Sequence, residues 1–243
     1  MIRSLIFNIL YYPITAILCF AYLPFLILPR KWLLIMVELY VKIVYVLEKY
    51  VLGLDFEIRG AEYLPKDEAF IVAAKHFSSY ETLKLHILFK DPAIVIKKEL
   101  FSIPIWGWYA KKMRLIGIDR SNRDTALKSV TQGAQMAADM KRPIVIFPQG
   151  TRVSLDHTVK DKPYKAGIMR MQNASGLKIV PLAMNTGVFW PRNAFIKKGG
   201  KVIFEFMPAV ETGLSTQEGL AIIQEAVESK TAALIAETSN EDS

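Results

Sequence analysis

One cysteine, Cys19, in a chain of 243 residues excludes a disulfide framework and a thiolate metal cluster, since either needs several thiols. Thiol poverty of this kind fits a reducing, cytosol-facing setting. Histidine is almost as scarce. His76, His86 and His157 are the only three, and no two stand at the spacing a zinc site uses, so no metal is expected. Phosphate loops of the nucleotide-binding kinds are missing too. There is no G-x-x-x-x-G-K-[ST], no G-x-G-x-x-G, and no G-x-S-x-G elbow that would make a serine the nucleophile. Those absences argue against a kinase or a serine hydrolase. The formal net charge of +8 comes without zinc-finger spacing, a recognition-helix pattern or aromatics interleaved with Arg and Lys, so no nucleic acid partner is expected. Internal repeats and low-complexity tracts are absent as well.

Charge is absent where it is most informative. From Ser4 to Pro29 no Asp, Glu, Lys or Arg occurs, and the stretch is bounded by Arg3 and by Arg30-Lys31. A bilayer span needs about 20 apolar residues. The run is too long for a signal-peptide core, and no small-x-small cleavage site follows it. Pro13 and Pro24 are expected to kink or break a single straight helix. Residues 32–54 form a second apolar run, interrupted by Glu38, Lys42, Glu48 and Lys49. Two membrane geometries follow: residues 4–29 cross once, or both segments form a hairpin in one leaflet with Lys and Arg at the headgroups. A buried core hairpin of a soluble protein is the third reading. An apolar fraction of 52% beside a positive net charge favours a membrane surface.

After Gly53 short β-rich runs alternate with helical patterns, the signature of an α/β layer architecture. Strands are expected at 55–59, 69–74, 93–97, 115–118, 143–147, 178–184 and 201–206. Helices are expected at 79–90, 124–140, 164–175 and 215–237. The chain therefore divides into a membrane-anchoring helical segment at 1–54, a globular domain at 55–237, and a polar tail at 238–243 that is expected to fray.

Two short stretches carry chemistry. Lys75-His76-Phe77-Ser78-Ser79-Tyr80-Glu81 follows an apolar strand, where an α/β sheet presents side chains to a crevice. His76 and Glu81 would not share a face if both were helical. With Ser78 or Ser79 capping the helix, however, the imidazole can fold back onto the carboxylate, which would fix its tautomer and stabilise the imidazolium. Equally, Ser78-x-x-Glu81 is a capping box in which Glu81 serves only the helix end. The second stretch, Ile144 through Arg152, turns the chain at Pro148-Gln149-Gly150-Thr151 and leaves Arg152 to fork over a phosphate or carboxylate. A Gly turn before a basic residue is also common and structurally neutral. His86 and His157 look ordinary.

Taken together and in order, these blocks resemble the glycerolipid acyltransferases, particularly the bacterial 1-acylglycerol-3-phosphate acyltransferases. The family's His-x4-Asp block is similar to His76 with Glu81. Its second block resembles Gly117-Ile118-Asp119-Arg120. Its Phe-Pro-Glu-Gly-Thr-Arg block resembles Phe147-Pro148-Gln149-Gly150-Thr151-Arg152, and its strand ending in proline resembles Ile179-Val180-Pro181-Leu182. The segment Ile96 through Phe101 is similar to one whose lysine meets the phosphate in the family, a role that falls on Lys97. The similarity runs from about residue 70 to about 208. Glu81 in place of aspartate keeps the charge and adds a methylene; Gln149 in place of glutamate removes a negative charge.

The resemblance implies an α/β fold with a mixed, mostly parallel sheet flanked by helices and an N-terminal membrane-associated helical pair. It implies an enzyme without cofactor that moves an acyl chain from acyl-CoA or acyl carrier protein to the free hydroxyl of 1-acyl-sn-glycerol 3-phosphate, a lysophosphatidic acid. His76 would be the general base and Glu81 its orienter. Lys97, Arg120, Gly150, Thr151 and Arg152 would hold the phosphate, supported by Phe147, Pro148, Gln149 and Pro181. The expected location is the inner membrane among membrane lipids, catalytic domain on the cytoplasmic face. A basic rim at Lys111, Lys112 and Arg114 would receive an acidic carrier, or be a solvated charged face. Glycerol 3-phosphate or another lysophospholipid as acceptor stays open, as does a non-catalytic lipid-headgroup module.

Overall fold

A computed structural model describes residues 1–119 and 123–241. Seven strands form one sheet: β1 (Leu54–Arg59), β2 (Ile71–Ala74), β3 (Ala93–Lys97), β4 (Ile116–Ile118), β5 (Ile144–Ile146), β6 (Ile179–Met184) and β7 (Gly200–Phe206). Their spatial order is β1-β7-β6-β2-β5-β3-β4. Among the strands of the described residues, only the β6–β7 pair is antiparallel. The mixed, mostly parallel sheet is thus the expected one.

Successive residues of a strand point to opposite faces, and here both faces are covered. Ile71, Ala73, Ile144, Ile146, Ile179 and Ala183 pack on one side against α5 (Arg123–Asp139), α6 (Gly167–Ser175) and α8 (Thr216–Glu241). Val72, Ala74, Val145, Val180, Leu182 and Phe204 pack on the other with Phe7 of α1 (Ile2–Ala21) and Leu85 of α3 (Tyr80–Leu88). Continuous apolar runs such as Ile144-Val145-Ile146 are what a strand buried on both faces requires. Pro181 sits in a central strand, where a missing N–H is normally costly. Its carbonyl accepts from Met207 N at 3.1 Å just beyond the last β7 pair, Leu182 with Phe206. The absent donor therefore falls in the gap between that ladder and the antiparallel Ile179–Val210 bridge.

Sequence patterning misses two short helices, α4 (Trp106–Lys112) and α7 (Thr186–Phe189), too brief for a periodic signal. Pro13 does not break α1, which runs through it. The chain turns instead at a 3-10 segment, Leu23–Leu26, that contains Pro24. Of the tail expected to fray, the described residues 238–241 are helical. α8 continues to Glu241, because the buried Thr238 hydroxyl accepts from Asn185 Nδ2 at 2.8 Å and donates to the Leu234 carbonyl at 2.8 Å.

α1 and α2 (Arg30–Leu47) are fastened to the body at several points. Ser4 Oγ donates to the Lys197 carbonyl at 2.9 Å, and Lys197 Nζ donates to Asn8 Oδ1 at 2.8 Å. Tyr109 OH donates to the Cys19 carbonyl at 2.7 Å, and Lys112 Nζ to that of Leu26 at 3.0 Å. At the start of α2, Arg30 grips Asp91 through both terminal nitrogens. At its end, a π-helical turn (Glu48–Leu52) aims Glu48 at Lys84 of α3, both fully buried. The Lys84 ammonium lies over the rings of Tyr80 and Tyr45, 4.6 and 4.9 Å from their centroids, where the ring faces help to offset its desolvation.

Candidate active site

The site is built on the ends of β2, β5 and β3. Where β2 stops, alternation sends Lys75 and His76 to opposite sides. Lys75 Nζ donates to Glu228 of α8 at 2.7 Å. His76 faces the other way, partly exposed, and its Nδ1 lies 2.8 Å from Glu81 Oε1. The same carboxylate accepts from Phe77 N at 2.7 Å, Ser78 N at 2.6 Å and Ser78 Oγ at 2.9 Å. Ser78 Oγ in turn accepts from Tyr80 N at 3.0 Å. The two readings of Glu81 thus hold at once: it caps the start of α3 and it holds the imidazole. With Nδ1 on the carboxylate, Nε2 is the ring nitrogen left for a substrate.

The second stretch comes to the same place. The Phe147 ring stacks on His76 with centroids 4.1 Å apart and planes 21° from parallel. The turn after β5 closes through Gly150 N donating to the Phe147 carbonyl at 2.9 Å. It needs glycine because φ there is +72°, a region that side chains disfavour. Val153 N then donates to the His76 carbonyl at 2.7 Å, so the two loops are tied backbone to backbone.

His76, Phe147, Pro148, Gly150, Thr151, Arg152 and, from the end of β3, Lys97 line one cavity of about 1240 Å³. That exceeds the roughly 300–1,000 Å³ of most small-molecule sites. Its far wall comes from the N-terminal helices. Tyr11, Thr15, Leu18 and Cys19 of α1 face it, followed by Tyr22 just past the helix end, with Leu33, Val37, Tyr40 and Val41 of α2. Both sets follow the i, i+4, i+7, i+8 spacing of a single helix face. His86 lines the same wall, and burial pushes its pKa down to about 4, against a smaller opposing pull from Asp91.

Three of the expected site residues fall elsewhere, and a fourth is outside the described residues. Glu81 is fully buried behind His76. Gln149 is buried and does not line the cavity; its Nε2 donates to the Lys162 carbonyl at 3.4 Å. Pro181 shapes the neighbouring strand. Arg120 lies outside the described residues. Of the basic rim, Lys112 is engaged with the Leu26 carbonyl. Sequence reasoning passed over Lys165, Arg170 and Arg192, which also line the cavity. They come from a loop, from α6 and from the segment after α7, and no local pattern joins them.

The α/β fold that carries this cavity is that of an acyltransferase. The chain matches the acyltransferase family over residues 55–185 and belongs to it. It is 28% identical to the 1-acyl-sn-glycerol-3-phosphate acyltransferase of Pseudomonas aeruginosa over 193 residues, covering 79% of this chain and 74% of that one. To the Saccharomyces cerevisiae protein of the same name it is 28% identical over 181 residues, 74% of this chain and 59% of its relative. The crystal structure of the 1-acyl-sn-glycerophosphate acyltransferase PlsC from Thermotoga maritima shares the fold, with a TM-score of 0.77 at 23% identity over 96% of both chains.

Proposed function

We propose that this acyltransferase moves an acyl group from a thioester, acyl-CoA or acyl carrier protein, to the free hydroxyl of 1-acyl-sn-glycerol 3-phosphate, giving phosphatidic acid. The observation that carries the assignment is the His76–Glu81 pair opening on the same cavity as Lys97 and Arg152. An imidazole whose Nδ1 is held by a carboxylate is a general base at Nε2. Two cations nearby suit a phosphate monoester. The names of the Pseudomonas and yeast relatives support the same acceptor, and a cavity of this size suits a lipid better than free glycerol 3-phosphate.

His76 Nε2 takes the hydroxyl proton as that oxygen adds to the thioester carbonyl. Collapse of the tetrahedral species expels the thiolate, which recovers the proton from the imidazolium and leaves as a thiol. Glu81 stabilises the transient charge pair and keeps the tautomer. Lys97 and Arg152 hold the acceptor phosphate, with Arg120 assigned the same role from its motif, while the wall from α1 and α2 takes an acyl chain. The Gly150 N–H already closes the turn onto Phe147, so the oxyanion must find another donor, for which the Thr151 N–H is our candidate.

The same reading places the protein in one leaflet. α1 is long and apolar enough to cross a bilayer, yet Ser4, Phe7 and Asn8 at its start are buried and its end is held through Tyr109. Its outer residues, among them Ile9, Ile17 and Phe20, are exposed, as are Trp32, Ile35 and Leu39 of α2. A helix fastened along its length is suited to lie in the inner leaflet's interface with the catalytic body on the cytoplasmic side. The test is turnover by full-length protein in detergent micelles, with labelled acyl-CoA and acyl carrier protein against glycerol 3-phosphate, lysophosphatidic acid and other lysophospholipids. Selective conversion of lysophosphatidic acid, abolished in His76→Ala, is expected; binding of acceptor without transfer would overturn the proposal.

A further inference from the structure

We infer that Glu228 of α8 is a positioning residue that holds the His76 loop and the Pro148–Arg152 turn in register from the α8 side of the sheet, one carboxylate oxygen serving each. The inference rests on the acyl-transfer reading above and deepens it. Lys75 and Tyr164 are the two arms through which Glu228 acts.

The first observation is a pair of contacts on one carboxylate. Lys75, which immediately precedes His76, donates from Nζ to Glu228 Oε2 at 2.7 Å. The other oxygen, Oε1, accepts from Tyr164 OH at 3.0 Å. Tyr164 is buried in the core between the sheet and α5, α6 and α8. Burial and the neighbouring Glu228 carboxylate push its phenol pKa up, so the hydroxyl stays a donor.

The second observation is where those arms lead. Lys165, the residue after Tyr164, lines the cavity, and its N donates to the Pro148 carbonyl at 3.0 Å. Pro148 opens the turn that carries Gly150, Thr151 and Arg152, and Val153 N beyond it donates to the His76 carbonyl at 2.7 Å. The contacts therefore close a ring that runs from Glu228 through Lys75 and His76 to Val153, back along the turn to Pro148, and through Lys165 and Tyr164 to Glu228. Two links join the base loop to the turn: Val153 on the cavity side and Glu228 on the opposite side. A single link would leave the loops free to pivot about it.

The third observation is burial. The Lys75 side chain is 6% exposed and that of Glu228 23%. A pair so placed gains little stability over apolar residues of similar volume, because desolvation offsets the attraction. Its geometry is what apolar residues would not reproduce. A carboxylate held by a donor on each oxygen has one orientation, and a displacement of about 1 Å at a reacting group costs about 10²-fold in rate.

The experiment measures steady-state kinetics of full-length protein in detergent micelles, with an acyl thioester and lysophosphatidic acid, beside thermal unfolding of the same samples. Lys75→Met is expected to lower kcat about tenfold and leave the acceptor KM unchanged, because its arm leads to the base; Lys75→Arg should recover most of that loss. Tyr164→Phe, which deletes only the hydroxyl, should raise the acceptor KM about tenfold with kcat and donor KM nearly unchanged, because its arm leads to the phosphate turn. Glu228→Ala should show both effects, and Tyr164→Phe added to it should change nothing further. A clamp that served folding alone would reduce the active fraction, so a lower kcat in all variants with both KM values unchanged overturns the inference. Any other division of the two effects between the arms does the same, as does a Tyr164→Phe effect that persists beside Glu228→Ala. If Glu228→Ala fails to fold, Glu228→Gln takes its place in the same comparison. Failure of the underlying reading looks different: wild-type protein would then transfer nothing from any thioester.

Discussion

The Val153 N–H donates to the His76 carbonyl at 2.7 Å, joining two loops that leave neighbouring strands β2 and β5. This bond fixes the distance between the proposed base and the arginine immediately before Val153. A change in either loop is therefore felt at the other.

Removing the imidazole should remove its share of the rate. His76→Ala is expected to lower kcat by about 10²- to 10⁴-fold with the folded state intact. Glu81→Gln should lower kcat as well, because an amide cannot balance an imidazolium. Glu81→Ala should in addition lower stability by about 1–2 kcal/mol through loss of the α3 cap. Kinetics and thermal unfolding on the same samples separate the two effects.

Arg152→Ala should raise the acceptor KM about tenfold or more and leave the donor KM nearly unchanged, as expected for one charged hydrogen bond lost from the phosphate. Equal effects on both substrates would count against its assigned role.

Lys84 and Glu48 are expected to behave as a pair. Burial pushes the Glu48 pKa up to about 7 and lowers that of Lys84, so each charge depends on the other. Lys84→Met alone, or Glu48→Gln alone, should cost about 3–5 kcal/mol, whereas Glu48→Leu with Lys84→Met should be close to neutral. Denaturant unfolding of the three variants provides the comparison.

Stability should fall in mild acid because of His86. Its folded pKa is depressed to about 4 from 6.5, chiefly by burial, so the unfolded chain binds the proton first. Stability then declines as pH drops from about 6.5 towards 4, by up to about 3 kcal/mol at this group. His86→Leu should flatten that part of the stability–pH curve; an unchanged slope would assign the acid sensitivity to other groups.

Exposed residues of the N-terminal pair should control membrane affinity without affecting folding. Ile17→Glu with Phe20→Glu is expected to reduce binding to anionic vesicles at least about tenfold, with an unchanged melting temperature. Flotation with vesicles reads the first quantity and calorimetry the second.

Much of the site was legible because its chemistry is local. His76 and Glu81 lie within one loop and helix start, and Phe147 through Arg152 within one turn, so residue type and spacing were enough to single them out. Strand positions were legible because double burial leaves continuous apolar runs. Lys165, Arg170 and Arg192 were not, since they reach the cavity from three separate segments and look like ordinary surface cations in one dimension. The persistence of α1 through Pro13, and of α8 past Thr238, depends on neighbours that no local window contains.

By itself, the amino-acid order determined the alternation of strands and helices, the uncharged N-terminal stretch and the two chemical loops, because hydrophobic periodicity and short-range hydrogen bonding act over a few residues. Only the folded chain decided that Glu81 both caps a helix and holds His76, that Phe147 stacks on that imidazole, and that α1 and α2 close a long cavity over it. Those outcomes depend on which strands become neighbours. That choice comes from burying both faces of one sheet at once, which brings together side chains far apart in sequence.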